Sequence, residues 1–121
     1  MNKQFDLDAH LPLIAIIRGV TPEQVVTVAT ILVEEGFTAI EVPLNSPEAL
    51  KSIKLLVDTF GKNYLIGAGT VTTPELAKKV VATGANLVVT PNCNEEVIKI
   101  SVAAGCATFL MSLLPQKHLM P

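Results

Sequence analysis

Short aliphatic runs alternate with polar helix starts along most of this chain, and the runs begin about 20 to 26 residues apart, the spacing of βα units. Leu13 to Ile17 is a dense apolar run of strand length. Thr21-Pro22-Glu23 then opens a helix: Thr21 can cap it, Pro22 suits the first turn, and Glu23 favours the positive helix end. Val25, Val28, Ala29 and Leu32 continue at helical spacing up to a stop at Gly36. The pattern recurs as a strand over 38–42 and a helix from Ser46-Pro47-Glu48, with Ala49, Ile53, Leu56 and Val57 on its apolar face. There follow a strand over 64–66, a helix from Thr73-Pro74-Glu75 to Gly84, and a strand over 86–90. A helix from Asn94-Glu95-Glu96 to Gly105 and a fifth strand over 106–110 complete the series.

Runs without an alternating polar face belong to strands buried on both sides, as in a parallel sheet covered by helices. The composition agrees, since half the residues are apolar while aromatics make up only 4%. Repeated βα units imply a parallel sheet with right-handed crossovers, and an α/β fold of either the open doubly wound or the closed-barrel kind. In both, chemistry gathers at the carboxyl ends of the strands. A chain of 121 residues without a linker-like stretch reads as a single domain.

Several function classes fall away early. The net charge is −2 and there is no basic run, which argues against a large nucleic-acid footprint. No stretch approaches the ~18 consecutive apolar residues of a membrane span. Residues Met1 to Asp8 lack the basic start and apolar stretch of a signal peptide. Cys93 and Cys106 form neither a CxxC pair nor a metal-type cluster; reduced structural thiols are expected, and with them an intracellular, cytoplasmic location.

The strand ends carry the unusual residues. Glu41 stands at the far end of an apolar strand, where an unpaired carboxylate costs several kcal/mol. Burial there would raise its pKa and make it a better proton acceptor near neutrality, whereas a neighbouring cation would keep it ionised. Arg18, the only arginine, follows five apolar residues; its fork suits a carboxylate or phosphate, and an ion pair with Glu41 or a surface stem explains it equally well. Gly67-Ala68-Gly69-Thr70-Val71 follows the third strand, where small residues admit a close backbone or ligand and Thr70 adds a hydroxyl. Without the lysine of a P-loop it reads, alone, as a tight turn. Pro91 and Asn92 end the fourth strand. Nothing marks His10, His118 or Cys93 as ligand or base.

Taken in order, four segments resemble the family of 2-keto-3-deoxy-6-phosphogluconate and 6-phosphogalactonate aldolases. They are Leu11 to Gly19, Ala39 to Pro47, Ile66 to Val71 and Val88 to Asn92, and the likeness extends over about residues 10–110. Pro43-Leu44-Asn45-Ser46-Pro47 is similar to the galactonate branch, where the gluconate branch usually has Thr-Leu-Arg. The resemblance implies a (β/α)8 TIM barrel, usually a homotrimer. It implies cleavage of a phosphorylated 2-keto-3-deoxy sugar acid to pyruvate and glyceraldehyde 3-phosphate, through a Schiff base to a lysine and with no metal or other cofactor. By that likeness Glu41 is the general acid/base, Arg18 meets the carboxylate end of the substrate, and Thr70 binds it nearby.

The family's lysine ends a sixth strand in a Lys-hydrophobe-Phe-Pro context, which none of the eight lysines here matches. Lys51, Lys54, Lys78, Lys79 and Lys99 fall on helical stretches, Lys62 in a loop, and Lys3 and Lys117 in the termini. Solvated helix lysines lack the lowered pKa that a Schiff-base amine needs. About five βα units are legible, whereas a complete barrel needs at least about 200 residues. An incomplete barrel is therefore expected, with exposed strand edges and an exposed aliphatic interior. Residues 111–121 depart from the family as an aberrant tail, and a frameshift near residue 111 is the expected cause. Three readings follow: an aldolase by descent that lacks its amine, a non-catalytic fragment, and a half-barrel that associates with a complementary chain.

Overall fold

The computed structural model describes residues 13–91, 94–110 and 116–118. Five βα-type strands alternate with four helices: β1 (Ile14–Ile16), α1 (Pro22–Glu34), β2 (Ala39–Pro43), α2 (Ala49–Phe60), β3 (Leu65–Gly69), α3 (Pro74–Ala82), β4 (Leu87–Thr90), α4 (Glu95–Ala103) and β5 (Ala107–Leu110). A further strand, β6 (Gln116–His118), lies in the segment read from sequence as an aberrant tail. All pairings are parallel, and the sheet order is β5-β4-β3-β2-β1-β6.

Two features separate the alternatives left open by the sequence. From β1 to β5 the strands lie side by side in chain order, with no reversal of the kind that puts helices on both faces of a doubly wound sheet. Side chains alternate between the faces, and the two faces differ in what they pack against. Ala15, Ile17, Ile40, Val42, Ile66, Ala68 and Val88 share one core with helix residues such as Val25, Ile53, Ala77 and Val97. Ile14, Ala39, Leu65, Leu87 and Val89 form a second cluster of strand residues, joined by Ala107 and Phe109. Among the described residues, helices cover one face only, which is the layering of a barrel wall with its interior on the other side.

The expected exposure of that interior is not found. Ile14, Ala39, Leu87 and Val89 are fully buried, and partial exposure on this face is confined to β5, whose four residues are all half-buried. Among the described strands β5 is an edge, paired only with β4. The other edge, that of β1, is taken by β6, with Ile14 opposite Gln116, Ala15 opposite Lys117 and Ile16 opposite His118. Lys117, read as a terminal residue, thus belongs to a strand.

Local chemistry explains most element ends. Thr73 and Asn94 cap α3 and α4, their side chains accepting the N–H of Leu76 at 3.2 Å and of Val97 at 3.1 Å. Gly36 follows α1 with φ of 103°, a conformation that costs glycine nothing sterically. Two expectations need correction. Thr21 makes no side-chain cap bond, so α1 rests on Pro22 in its first turn and on the Gln24 N–H donating to the Thr21 carbonyl. α2 begins at Ala49 rather than near Ser46, because the buried Ser46 hydroxyl is engaged elsewhere: it accepts the Gly19 N–H at 3.3 Å.

At the amino end of the sheet Asn86 acts as a staple. Its Oδ1 accepts the Ile66 N–H at 2.7 Å, and its Nδ2 donates to the carbonyls of Gly61 and Tyr64. Cys106, whose thiol donates to the Ala85 carbonyl at 3.3 Å, is buried and its pKa is raised by that burial, as for a structural thiol. Cys93 and His10 lie outside the described residues. Among the described residues, no helix is long and apolar enough to cross a membrane.

Candidate active site

Gly67, Ala68 and Gly69 are strand, not the tight turn their composition suggested. Glycine usually weakens a strand, and here it marks close approach. A Cβ at Gly67 would overlap the Leu87 backbone, so β3 and β4 meet at a separation that only a bare Cα permits. Both glycines are on the interior face, two residues apart, and beyond Leu65 they leave β3 without side chains there.

Glu41 fills part of that space. It pairs in register with Gly67, yet its Cγ lies 2.8 Å from where a Cβ on Gly69 would stand, and its Cδ and Oε2 would overlap that Cβ. The side chain therefore leans along β3 from Gly67 toward Gly69, toward the carboxyl edge of the sheet. This sets its carboxylate at Gly69, directly before Thr70.

The carboxylate is fully buried, and neither oxygen has a hydrogen-bond partner among the described residues. Burial pushes its pKa up from the ordinary 4.5 to about 7, against the opposing pull of the Arg18 guanidinium. No ion pair within 4 Å joins the two side chains among the described residues; half-buried Arg18 acts on Glu41 through its field. An acid with a pKa near neutrality can both give and take a proton under ordinary conditions.

The loops around Glu41 are pinned. The Ile17 N–H donates to the Glu41 carbonyl at 3.0 Å, the Leu44 N–H to Gly69, and the Val71 N–H to Val89. With the Gly19–Ser46 bond, these contacts join the loops after β1, β2 and β3. Thr70 and Glu48 are the two non-glycine residues with positive φ among those described, at 60° and 46°. Left-handed backbone costs such residues roughly 1–2 kcal/mol, and strain of this kind clusters where geometry serves a site. Thr70 is the β-branched one, half-buried at the end of β3. Thus Arg18 and Thr70 follow the carboxyl ends of β1 and β3, whereas Glu41, expected at a strand end, is the middle residue of β2 and reaches that edge only through the lean of its side chain.

Other participants escaped the sequence reading. Gly69 was grouped with a turn; its signal was the spacing of two glycines on one face. Ser46, placed by composition at a helix start, instead bonds Gly19, and Thr90 ends β4 fully buried. Pro91 is exposed at a bend, while Asn92 lies outside the described residues. Among the described residues no group of three or more His, Cys, Asp or Glu side chains is placed to hold a metal ion. Lys51, Lys54, Lys62, Lys78, Lys79 and Lys99 are all exposed, with Lys54 paired to Asp58 at 2.8 Å and Lys99 to Glu95 at 3.2 Å.

Comparison with known proteins gives this geometry a lineage. Residues 7–114 match the family described as KDPG and KHG aldolase. The 2-dehydro-3-deoxy-6-phosphogalactonate aldolase of Escherichia coli is 45% identical, over 81% of this chain and 51% of its own length. A probable enzyme of the same name from Rhizobium meliloti is 44% identical, over 80% of this chain and 46% of its own. Among solved structures, native KDPGal superposes with a TM-score of 0.79 at 42% identity, covering 89% of this chain and 50% of the other. KDPG aldolase from Legionella pneumophila, solved with pyruvate captured as a covalent carbinolamine, gives 0.73 at 33% identity, covering 83% of this chain and 48% of that one. The chain spans about half the length of the curated relatives it matches. It belongs to the KDPG and KHG aldolase family.

Proposed function

We propose that this chain carries the proton-transfer half of an aldolase that cleaves 2-dehydro-3-deoxy-6-phosphogalactonate to pyruvate and glyceraldehyde 3-phosphate. The observation that carries the reading is the buried Glu41 carboxylate, without a hydrogen bond among the described residues and held near neutral pKa at the carboxyl edge of a barrel wall. Cleaving the bond between C3 and C4 needs a base for the C4 hydroxyl proton and an acid that returns a proton to C3. Glu41 takes the first proton and supplies the second. Arg18 meets the substrate carboxylate, and the Thr70 hydroxyl holds the substrate beside Glu41. Lys51, Lys54, Lys62, Lys78, Lys79 and Lys99 are solvated, two of them paired with carboxylates, so none of these six supplies the amine of the Schiff base.

A second reading, a half-barrel that docks on a complementary chain, is favoured by the unpaired, half-exposed β5 edge and by coverage of about half of each relative. Borohydride trapping with pyruvate tests the amine: the chain alone is expected to stay unlabelled. Co-expressed with the C-terminal half of a relative, it is expected to show retro-aldol activity that Glu41→Gln lowers by at least about 100-fold. Activity untouched by Glu41→Gln would remove Glu41 from the mechanism.

A further inference from the structure

We propose that Gly69 is the positioning residue for Glu41: its bare Cα is the berth in which the carboxylate lies, and any side chain at 69 would expel it. The inference deepens the reading of Glu41 as the proton-transfer group and rests on it for its functional meaning.

Three observations carry it. The three atoms nearest to a Cβ built on Gly69 are Oε2, Cδ and Cγ of Glu41, so the first obstacle to a side chain at 69 is Glu41 itself. Gly67 is the contrast: there the obstacle is the backbone of Leu87, and glycine serves strand packing. Gly69 is not among the positive-φ residues, so its backbone conformation is open to alanine and does not explain why glycine stands there. What remains is space. Among the described residues no hydrogen bond fixes the direction of the buried carboxylate. Its direction is set by shape, with β3 offering a gap at 69 and the Leu44 N–H and Gly69 carbonyl locking the two strands beside it at 3.1 Å.

The test is a double-mutant cycle with Gly69→Ala and Glu41→Ala, read by urea denaturation of the full chain, together with carbon-detected titration of the Glu41 carboxyl. In the native background Gly69→Ala is expected to lower the folding equilibrium constant by about tenfold or more, and in the Glu41→Ala background by less than about threefold. The Glu41 carboxyl of folded Gly69→Ala is expected to titrate closer to an ordinary glutamate, because the displaced group reaches solvent at the sheet edge. A structural role for Gly69 alone would not move that titration. Should Gly69→Ala fail to fold, the double variant decides: a folded double variant supports the berth, and an unfolded one overturns it. Equal costs in both backgrounds, or an unmoved titration, would also overturn it. The functional reading fails separately, by Glu41→Gln leaving retro-aldol activity intact while the coupling between 41 and 69 persists.

Discussion

Replacing Glu41 by glutamine isolates the cost of a buried ionisable group. The carboxyl has a pKa near 4.5 when unfolded and about 7 when folded, because burial disfavours the charged form more than Arg18 favours it. The native state therefore holds a proton over a range in which the unfolded chain has lost it. The stability this gives is fully present below pH 4.5 and is lost as pH rises through about 7. Each pH unit between the two values is worth about 1.4 kcal/mol, so the whole span amounts to about 3 kcal/mol, a large fraction of the stability of a small domain. Glutamine is neutral throughout and of similar size. Urea unfolding of both proteins from pH 4 to 8.5 should give stabilities that nearly coincide at the acid end. They should separate above pH 5, with Glu41→Gln the more stable by about 3 kcal/mol at the alkaline end. Taking the difference between the two proteins cancels the titration of the exposed carboxylates. A difference that stays flat across this range would mean that Glu41 is solvated or firmly paired in the folded chain, and the argument from its burial would collapse.

Gly67→Ala should cost at least about 3 kcal/mol or abolish folding, since the atoms in the way are Leu87 backbone; far-UV circular dichroism with urea melts will show it, and a near-native melt would contradict the close approach of β3 and β4. Asn86→Ala removes three hydrogen bonds at the amino end of the sheet and should lower stability by about 2–3 kcal/mol, with faster amide exchange at Ile66 as its local mark. Thr70→Asn should raise stability by about 0.5–1 kcal/mol, because asparagine tolerates positive φ better than a β-branched residue; a lower melting temperature would show that no strain is held there.

Much of the wall was legible because aliphatic runs and polar helix starts follow local rules. Arg18, Glu41 and Thr70 were legible for a related reason: a polar residue within or just after an apolar strand conflicts with its surroundings unless it serves a site. What stayed hidden depended on contacts across the chain. Gly67 to Gly69 has the composition of a turn, and only the backbone of Leu87 and the side chain of Glu41 show why a strand there must be bare. Ser46 looks like a helix cap until Gly19, 27 residues away, claims its hydroxyl. Whether helices cover one face or two was undecidable from periodicity, since strands buried on both sides read alike in either case. The segment at 116–118 is polar and short, and its strand conformation comes from pairing with β1 rather than from its own propensity.

The order of strands also writes an order of assembly. From β1 to β5, each strand lies beside the one made just before it, so the wall can lengthen one crossover at a time as the chain emerges during synthesis. β6 breaks that rule by pairing with β1 across roughly 100 intervening residues, the contact of highest loop-closure cost in the sheet. Until β6 arrives, the nascent wall has a bare edge at its oldest strand as well as at its newest. A partner that binds during synthesis would meet β1 before β6 does, and the two would then compete for the same row of backbone groups.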